Sequence, residues 1–201
     1  MPCPTITGVI LAGGRASRLG GVDKGLIELA GKPLVEHVLA RLAPQVKNLV
    51  ISANRNIERY AALGYAVLRD DAPDYAGPLA GMLRALSVTD AEYILTVPCD
   101  CPCAPLNLAE RMMSCRARAK TQLCVAYDGV KIQPVFALIS RTLQDDMRAY
   151  LDSGQRKVED WLMRHTPALA DFSDQSLAFV NINTLQEHSL LEKQLNASGT
   201  C

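Results

Sequence analysis

The feature that most constrains the fold is an apolar run near the start of the chain, residues 6–11, followed by two adjacent glycines, Gly13 and Gly14. A short apolar run of this kind predicts a buried strand. Glycines at the carboxyl end of such a strand let backbone N–H groups approach an anion without interference from a Cβ atom. The start of the chain is therefore expected to form a strand that leads into an anion-binding turn.

Three cations follow this turn within one short loop: Arg15, Arg18 and Lys24. A triphosphate or a leaving pyrophosphate requires such a concentration of guanidinium and ammonium groups. The spacing matches neither G-x-G-x-x-G, the pattern of dinucleotide-binding folds, nor G-x-x-x-x-G-K-[ST], the pattern of P-loops. The alternative to a phosphate site is a glycine-rich turn with solvated arginines.

Short apolar runs alternate with helical patterns along most of the chain. Strands are expected at residues 6–11, 48–53, 66–69, 93–97, 123–127 and 178–182. Helices are expected at residues 33–43, 79–86 and 106–117. A capping-box pattern at residues 184–187 predicts the start of a further helix. This alternation predicts a mostly parallel sheet with helices on both faces. The Asp128-Gly129 pair predicts a hairpin between residues 123–127 and 130–140, so part of the sheet is antiparallel. The expected fold is a single-domain, Rossmann-like three-layer α/β sandwich with a mostly parallel, partly mixed sheet.

The amino-acid composition limits the kinds of molecule that the chain is expected to bind. The 201 residues carry 21 basic and 21 acidic side chains, so no sign excess favours a nucleic acid or a membrane surface. No apolar run approaches the roughly 18–20 residues that span a bilayer, and the first residues lack the charged region of a secretory signal. The seven cysteines are odd in number and irregularly spaced, which favours reduced thiols and a cytoplasmic location over a disulfide framework.

Polar residues gather where the expected strands end. In an open α/β sheet, ligands bind outside the carboxyl ends of the strands. Ser52 and Asn54 close the second strand, Asp70 the third, and Asp100 the fourth. The fold therefore predicts that these side chains and the glycine turn share one rim of the sheet.

Asp100 is the candidate metal ligand. Mg²⁺ commonly binds proteins through one or two carboxylates together with substrate phosphates, and a carboxylate beside a phosphate loop meets that need. The alternative is a structural role for Asp100 in its turn. The nearby triplet of Cys99, Cys101 and Cys103 does not have the C-x₂₋₄-C spacing of zinc sites, and reduced thiols in a turn explain it better.

The stretch from Leu11 to Lys24 resembles the L-A-G-G-x-x-x-R-x-G-x-x-K loop of nucleotidyltransferases. Its continuation over residues 23–34, D-K-G-L-I-E-L-A-G-K-P-L, resembles the MobA family of molybdenum cofactor guanylyltransferases. The resemblance extends from Ile6 to Thr184. It implies a fold of the nucleotide-diphospho-sugar transferase type, with a nucleotide-binding half over about residues 6–105, an acceptor-binding half over about 106–195, and a frayed tail at 196–201.

The resemblance also implies an activity and a set of site residues. The activity is transfer of GMP from GTP to the terminal phosphate of molybdopterin with release of pyrophosphate. The implied catalytic residues are Arg18, Lys24 and Asp100; the implied GTP-binding residues are Leu11, Ala12, Gly13, Gly14, Lys24, Ser52, Asp70 and Asp100; the implied acceptor-binding residues are Arg156, Asn181 and Asn183; and Asp100 is the implied ligand of Mg²⁺ or Mn²⁺. The chain departs from the family pattern at Ser52, where asparagine is expected, and at Cys101, where threonine is expected. A monomer is expected, with transient contacts to cofactor-insertion proteins and molybdoenzymes.

Three alternatives to guanylyl transfer remain at this point. A cytidylyltransferase for the same pterin resembles L-A-A-G at the first loop, where this chain has L-A-G-G. Sugar-phosphate nucleotidyltransferases share the loop but tend to be longer. A non-catalytic carrier of nucleotide or cofactor would bind GTP without releasing pyrophosphate.

Overall fold

A seven-stranded sheet forms the centre of the molecule in the computed structural model, which describes residues 4–13, 23–70, 77–182, 187, 189 and 191–193. The strands of the chain are β1 (Ile6–Leu11), β2 (Glu28–Leu29), β3 (Lys32–Pro33), β4 (Asn48–Ser52), β5 (Ala66–Leu68), β6 (Tyr93–Pro98), β7 (Leu123–Tyr127), β8 (Ile132–Ser140) and β9 (Ala168–Asp171). The main sheet has the order β5-β4-β1-β6-β8-β7-β9, and β2 and β3 form a separate antiparallel ribbon. Only β8 runs against the other six strands, which confirms a mostly parallel, partly mixed sheet.

Helices cover both faces of this sheet. They are α1 (Leu34–Leu42), α2 (Ile57–Ala61), α3 (Pro78–Val88), α4 (Leu108–Ala119), α5 (Gln144–Asp152) and α6 (Val158–Met163), with short 3₁₀ segments at Lys24–Leu26, Ala43–Gln45, Arg141–Leu143 and Ser173–Phe179. Successive strand side chains point to opposite faces, so Ile10 packs in one core with α1 and α4, whereas Val9 packs in another with α3, α5 and α6. The two cores on either side of one sheet are the three-layer sandwich that the sequence predicts. Among the described helices, none is at once long and apolar enough for a bilayer span.

The chain order places a topological switch point at the end of β1. From β1 the chain proceeds outward to β4 and β5, then returns to the other side of β1 to form β6. At this reversal Leu11, the last residue of β1, pairs with Ser52 on one side and with Pro98 on the other. Such a topological switch point is where doubly wound sheets bind ligands.

Most of the expected elements are confirmed. The strands at residues 6–11 and 123–127 have the predicted bounds, and the helices α1, α3 and α4 lie within two residues of prediction. The hairpin also forms: β7 and β8 are antiparallel, and the Asp128 carboxylate accepts hydrogen bonds from the backbone N–H groups of Val130 and Lys131, both at 2.8 Å.

The strand expected at residues 178–182 is wrong. Residues 173–179 form a 3₁₀ segment, and residues 180–182 have no regular structure. Phe179 turns into the core there, where its ring meets Phe136 edge-on at 4.8 Å and Phe172 at 5.5 Å between centroids. The last strand of the sheet is instead β9, which was not expected. The capping-box residues 184–186 lie outside the described part of the chain.

Candidate active site

A salt bridge joins two loops at the switch point. The Lys24 ammonium donates to Asp100 Oδ2 at 3.2 Å, although the residues are 76 positions apart in the chain. Lys24 begins the 3₁₀ turn Lys24–Leu26, and Asp100 follows β6. The Lys24 side chain is 28% exposed and the Asp100 side chain 11%, so the ammonium is accessible at the rim while the carboxylate lies mostly buried behind it.

The turn that carries Asp100 is held from two sides. The backbone N–H of Cys99 donates to the carbonyl of Leu11 at 3.1 Å, and the N–H of Ile182 donates to the carbonyl of Asp100 at 3.0 Å. The backbone of Asp100 is therefore fixed between the end of β1 and the segment after the last 3₁₀ turn. Its carboxylate is left to interact with Lys24 and with ligands.

The donor chemistry at Asp100 suits a magnesium ion that is held mainly by substrate. Within the described ranges, no cluster of three or more His, Cys, Asp or Glu side chains forms a complete protein cage. Mg²⁺ does not need one, because it keeps waters and binds substrate phosphates alongside one or two carboxylates. Asp100 supplies such a carboxylate at the rim.

A second rim cluster lies at the ends of β4 and β5. Asn54 Nδ2 donates to Asp70 Oδ2 at 2.7 Å, while the backbone N–H of Asp70 donates to Asn54 Oδ1 at 3.0 Å. This reciprocal pair fixes the orientation of the Asp70 carboxylate. A Cβ on Gly13 would lie 3.4 Å from Asn54 Nδ2 and 4.0 Å from Asp70 Oδ2, so the glycine keeps the space in front of the pair open.

Asn54 is a rim residue to which the sequence assigns no role. The asparagine expected by family resemblance at position 52 is a serine here, and Asn54 supplies an amide two residues later. Both residues lie at the end of the same strand, so the S-A-N run could have indicated that Asn54 supplies the amide at this rim. The signal was not specific, because an asparagine after a strand is also an ordinary turn residue.

The structure does not bring the Ser52 hydroxyl to this rim. Ser52 is 2% exposed, and its side chain faces α3, where a Cβ on Gly81 would overlap Ser52 Oγ. Its contribution to the rim is through the backbone, since the Ser52 carbonyl accepts from the N–H of Ala12 at 2.8 Å. Leu11 and Ala12 likewise use their backbones to tie β1 to its two neighbours.

Two of the residues expected on the acceptor side, Arg156 and Asn181, lie in the described part of the chain. Asn181 adjoins the Asp100 turn, where its Oδ1 accepts from the Cys101 thiol at 2.6 Å. Arg156 is exposed, and its guanidinium donates to the carbonyls of Leu151 and Gln155. Its carbonyl lies near Gly77, the residue before α3. The expected site residues Gly14, Arg18 and Asn183, together with Arg15, lie outside the described residues.

The cysteine triplet divides into thiols and a disulfide. Cys99 and Cys101 are free and buried, and burial together with the Asp100 carboxylate raises the pKa of both thiols. Both therefore remain neutral at neutral pH. Cys103 is disulfide-bonded, which corrects the expectation that all cysteines are reduced.

A doubly wound sheet with the Lys24–Asp100 pair at its switch point is an arrangement in which α/β folds bind phosphorylated ligands. A family model described as the MobA-like NTP transferase domain matches residues 8–168. Proteins named molybdenum cofactor guanylyltransferase are similar over nearly the whole chain. The protein from Shewanella sediminis is 49% identical over 190 residues, covering 94% of this chain and 97% of its own. The protein from Shewanella loihica is 47% identical over 192 residues, covering 96% and 98%. The chain belongs to the molybdenum cofactor guanylyltransferase family, within the MobA-like NTP transferases.

Solved structures support the fold. Molybdopterin-guanine dinucleotide biosynthesis protein A from Archaeoglobus fulgidus superposes with a TM-score of 0.78 at 20% identity, covering 95% of this chain and 99% of that one. The 4-diphosphocytidyl-2C-methyl-D-erythritol synthase from Anaerococcus prevotii superposes with a TM-score of 0.75 at 13% identity, covering 96% of each chain. At these identities the likeness establishes the fold alone.

Proposed function

We propose that this protein transfers GMP from GTP to the terminal phosphate of molybdopterin, releasing pyrophosphate and forming the guanine dinucleotide cofactor. The observation that carries the proposal is the pair of Lys24, at the start of the turn Lys24–Leu26, and Asp100, directly after β6. The names of the relatives favour guanylyl transfer over cytidylyl transfer, over sugar-phosphate substrates and over a carrier without catalysis.

The reaction makes few chemical demands on the protein. An oxygen of the acceptor phosphate bonds to the α-phosphorus of GTP, and the bond from that phosphorus to the bridging oxygen of pyrophosphate breaks. The acceptor oxygen is already anionic, so no general base has to remove a proton. Catalysis then depends on alignment and on neutralising negative charge, as in phosphoryl transfer generally.

Lys24 is the proposed partner of the leaving pyrophosphate. Its ammonium stands at the rim and is held there by the Asp100 carboxylate. A preorganised cation stabilises charge as it develops on the leaving oxygen without reorganising at that moment. Arg18 and the backbone of Gly13 and Gly14 are proposed to act on the same phosphates.

Asp100 is the proposed ligand of a divalent ion, Mg²⁺ or Mn²⁺. When bound, the ion would supply positive charge to the nucleotide phosphates. Asp100 is suited to this role because its carboxylate lies directly after β6 beside the Lys24 ammonium and its backbone is fixed on both sides.

Asp70 is proposed to read the guanine base. A carboxylate can accept both the N1–H and the N2–H₂ of guanine, whereas cytosine lacks that pair of donors. The Asn54 amide fixes the Asp70 carboxylate, and the absence of a Cβ at Gly13 leaves room in front of both. Ser52 contributes through its backbone position at the end of β4.

Arg156, Asn181 and Asn183 are proposed to bind the acceptor phosphate or pterin. Asn181 is the best supported of them in the described part of the chain, because it adjoins the Asp100 turn. A monomeric state, a cytoplasmic location and transient contacts with cofactor-insertion proteins and molybdoenzymes stay predictions.

The test is pyrophosphate release from GTP in the presence of molybdopterin and Mg²⁺. Removing a preorganised charge-stabilising group costs about 10²–10³ in rate, so Asp100→Ala is expected to lose at least that much. Asp90→Ala is the matched control, because Asp90 is a fully exposed carboxylate that precedes β6, at the opposite end of that strand from Asp100. An Asp100→Ala protein within tenfold of the parent would remove Asp100 from the mechanism.

A further inference from the structure

We propose that Asp23, Asn56 and Tyr60 form a positioning network for Lys24. The network holds the backbone around Lys24 so that its ammonium reaches the rim beside Asp100. This inference rests on the proposed function, because it takes Lys24 as the partner of the leaving pyrophosphate.

Asp23 is a buried carboxylate directly before Lys24. It is 8% exposed, and it accepts hydrogen bonds from Tyr60 Oη at 2.6 Å and from Asn56 Nδ2 at 3.0 Å. Asp23 occupies the N-cap position of the turn Lys24–Leu26, yet its side chain makes no capping bond to that turn. A buried charge is costly unless it is hydrogen-bonded, so these two donors fix the carboxylate in one place.

Gly25, directly after Lys24, lies against the same hydroxyl. A Cβ at position 25 would approach Tyr60 Oη to 2.5 Å and Cys99 Sγ to 3.2 Å. The chain therefore contacts Tyr60 on both sides of Lys24, through a hydrogen bond at Asp23 and through close packing at Gly25. Lys24 has little freedom to shift along the rim while Tyr60 stays in position.

Tyr60 is suited to hold this position. It lies on α2, is fully buried, and belongs to the core under the sheet. Burial, with the nearby Cys99 and the hydrogen bond to Asp23, raises the pKa of the phenol well above its usual range. The hydroxyl therefore remains protonated and donates at any working pH.

The network also connects the two clusters of the rim. Asn56, which binds Asp23, is two residues from Asn54, which binds Asp70. The loop after β4 thus holds the base-side carboxylate with one amide and the anchor of Lys24 with another. Both clusters are set by one short segment.

The experiment is a double-mutant cycle between Tyr60→Phe and Lys24→Ala in the full-length chain. Tyr60→Phe removes only the hydroxyl. Since a misplacement of about 1 Å can cost about 10²-fold in rate, we expect kcat to fall at least tenfold, with KM for GTP changed much less. If Tyr60 acts through Lys24, adding Tyr60→Phe to Lys24→Ala should change kcat by less than about twofold.

Two further variants make the result specific. Tyr93→Phe is the matched control and should retain activity within twofold, since Tyr93 is a buried tyrosine at the start of β6, away from the rim. Asp23→Asn removes the charge that Tyr60 and Asn56 bind, and it should follow Tyr60→Phe in kcat. It also provides the same test should Tyr60→Phe fail to fold.

The outcomes distinguish a failure of the positioning network from a failure of the proposed function. Equal losses from Tyr60→Phe with and without Lys24, or a folded Tyr60→Phe protein within twofold of the parent, would overturn the network while leaving the role of Lys24 intact. A Lys24→Ala protein with unchanged turnover would overturn the role of Lys24 itself, and with it the network.

Discussion

Gly81 shows how a single missing side chain lets α3 pack closely against the sheet. A Cβ at this position of α3 would overlap Ser52 Oγ and reach within 3.0 Å of Leu11 Cδ2. The helix can therefore approach the ends of β1 and β4 closely. The Ser52 side chain packs against the helix at Gly81. The serine in place of the expected asparagine is consistent with that burial, because it is the smaller side chain.

Gly81→Ala is expected to lower the free energy of unfolding by about 1–3 kcal/mol, the usual cost of adding a methyl group to a well-packed core. Chemical denaturation of the parent and the variant measures the difference. Ser52→Gly removes the serine atoms that the new Cβ meets and leaves only the contact with Leu11, so the double variant should recover part of the loss. A Gly81→Ala protein as stable as the parent would show that α3 is free to move away from the sheet.

At the scale of elements, sequence periodicity predicted the central strands well and the end of the sheet poorly. β1 and β7 are buried apolar runs in which hydrophobicity and strand geometry agree. β9 (Ala168–Asp171) buries two alanines and turns its one large apolar residue, Leu169, outward with 49% exposure. Its hydrophobic pattern therefore points away from the core, and no local signal identifies it as a strand.

At residues 178–182 the sequence predicts a strand that the structure does not have. This run is as apolar as a strand, but its large buried residues are Phe179 and Ile182, three positions apart, while Val180 is 46% exposed. A spacing of three does not fit the two-residue period of a strand. The aromatic contacts of Phe179 with Phe136 and Phe172 decide the conformation, and Phe136 is distant in sequence.

The sequence predicts that a residue lies at the rim when that residue directly follows a strand. It does not predict the direction in which the side chain then points. Asp100 could be placed at the rim because it directly follows β6, whereas Lys24 begins a 3₁₀ turn and ends no strand. The inward turn of Ser52 and the burial of Asp23 depend on packing against α3 and α2, which the sequence does not encode locally.

The contact between α5 and α6 makes the stability of the fold depend on pH. Asp146 Oδ1 accepts from the buried Trp161 indole at 2.9 Å and contacts His165 Nε2 at 2.7 Å. Partial burial raises the pKa of Asp146, but these bonds and the nearby positive charges outweigh it, so the net pKa lies below the usual range. A carboxyl with a lowered folded-state pKa stabilises the fold above its unfolded-state pKa of about 3.9 and loses that contribution as the pH falls through the folded-state value.

Asp146→Ala is therefore expected to lose about 1–3 kcal/mol at pH 7, the cost of leaving the buried indole N–H without an acceptor. The difference from the parent should shrink as the pH falls below about 4. Urea unfolding between pH 7 and pH 3 measures it. A difference that stays constant with pH would mean that the charge of Asp146 contributes nothing to stability.

At the scale of the whole molecule, the proposed site residues stand on both sides of β1. Gly13, Asn54 and Asp70 stand on the β4–β5 side of the switch point, while Asp100 and Asn181 stand on the β6 side. Lys24 contacts Asp100. The proposed base site and the proposed acceptor site therefore lie on either side of the end of β1, and we propose that the phosphates of the nucleotide lie between them.

The most direct test of this account is turnover with each of the four nucleoside triphosphates, with Mg²⁺ and molybdopterin present and the product identified by mass. Sites built on paired hydrogen bonds can discriminate by about 10⁴, so GTP alone is expected to yield the dinucleotide and pyrophosphate at an appreciable rate. Comparable turnover with CTP or UTP would contradict guanylyl transfer while leaving a nucleotidyltransferase. Binding of GTP with no release of pyrophosphate would contradict nucleotidyl transfer itself.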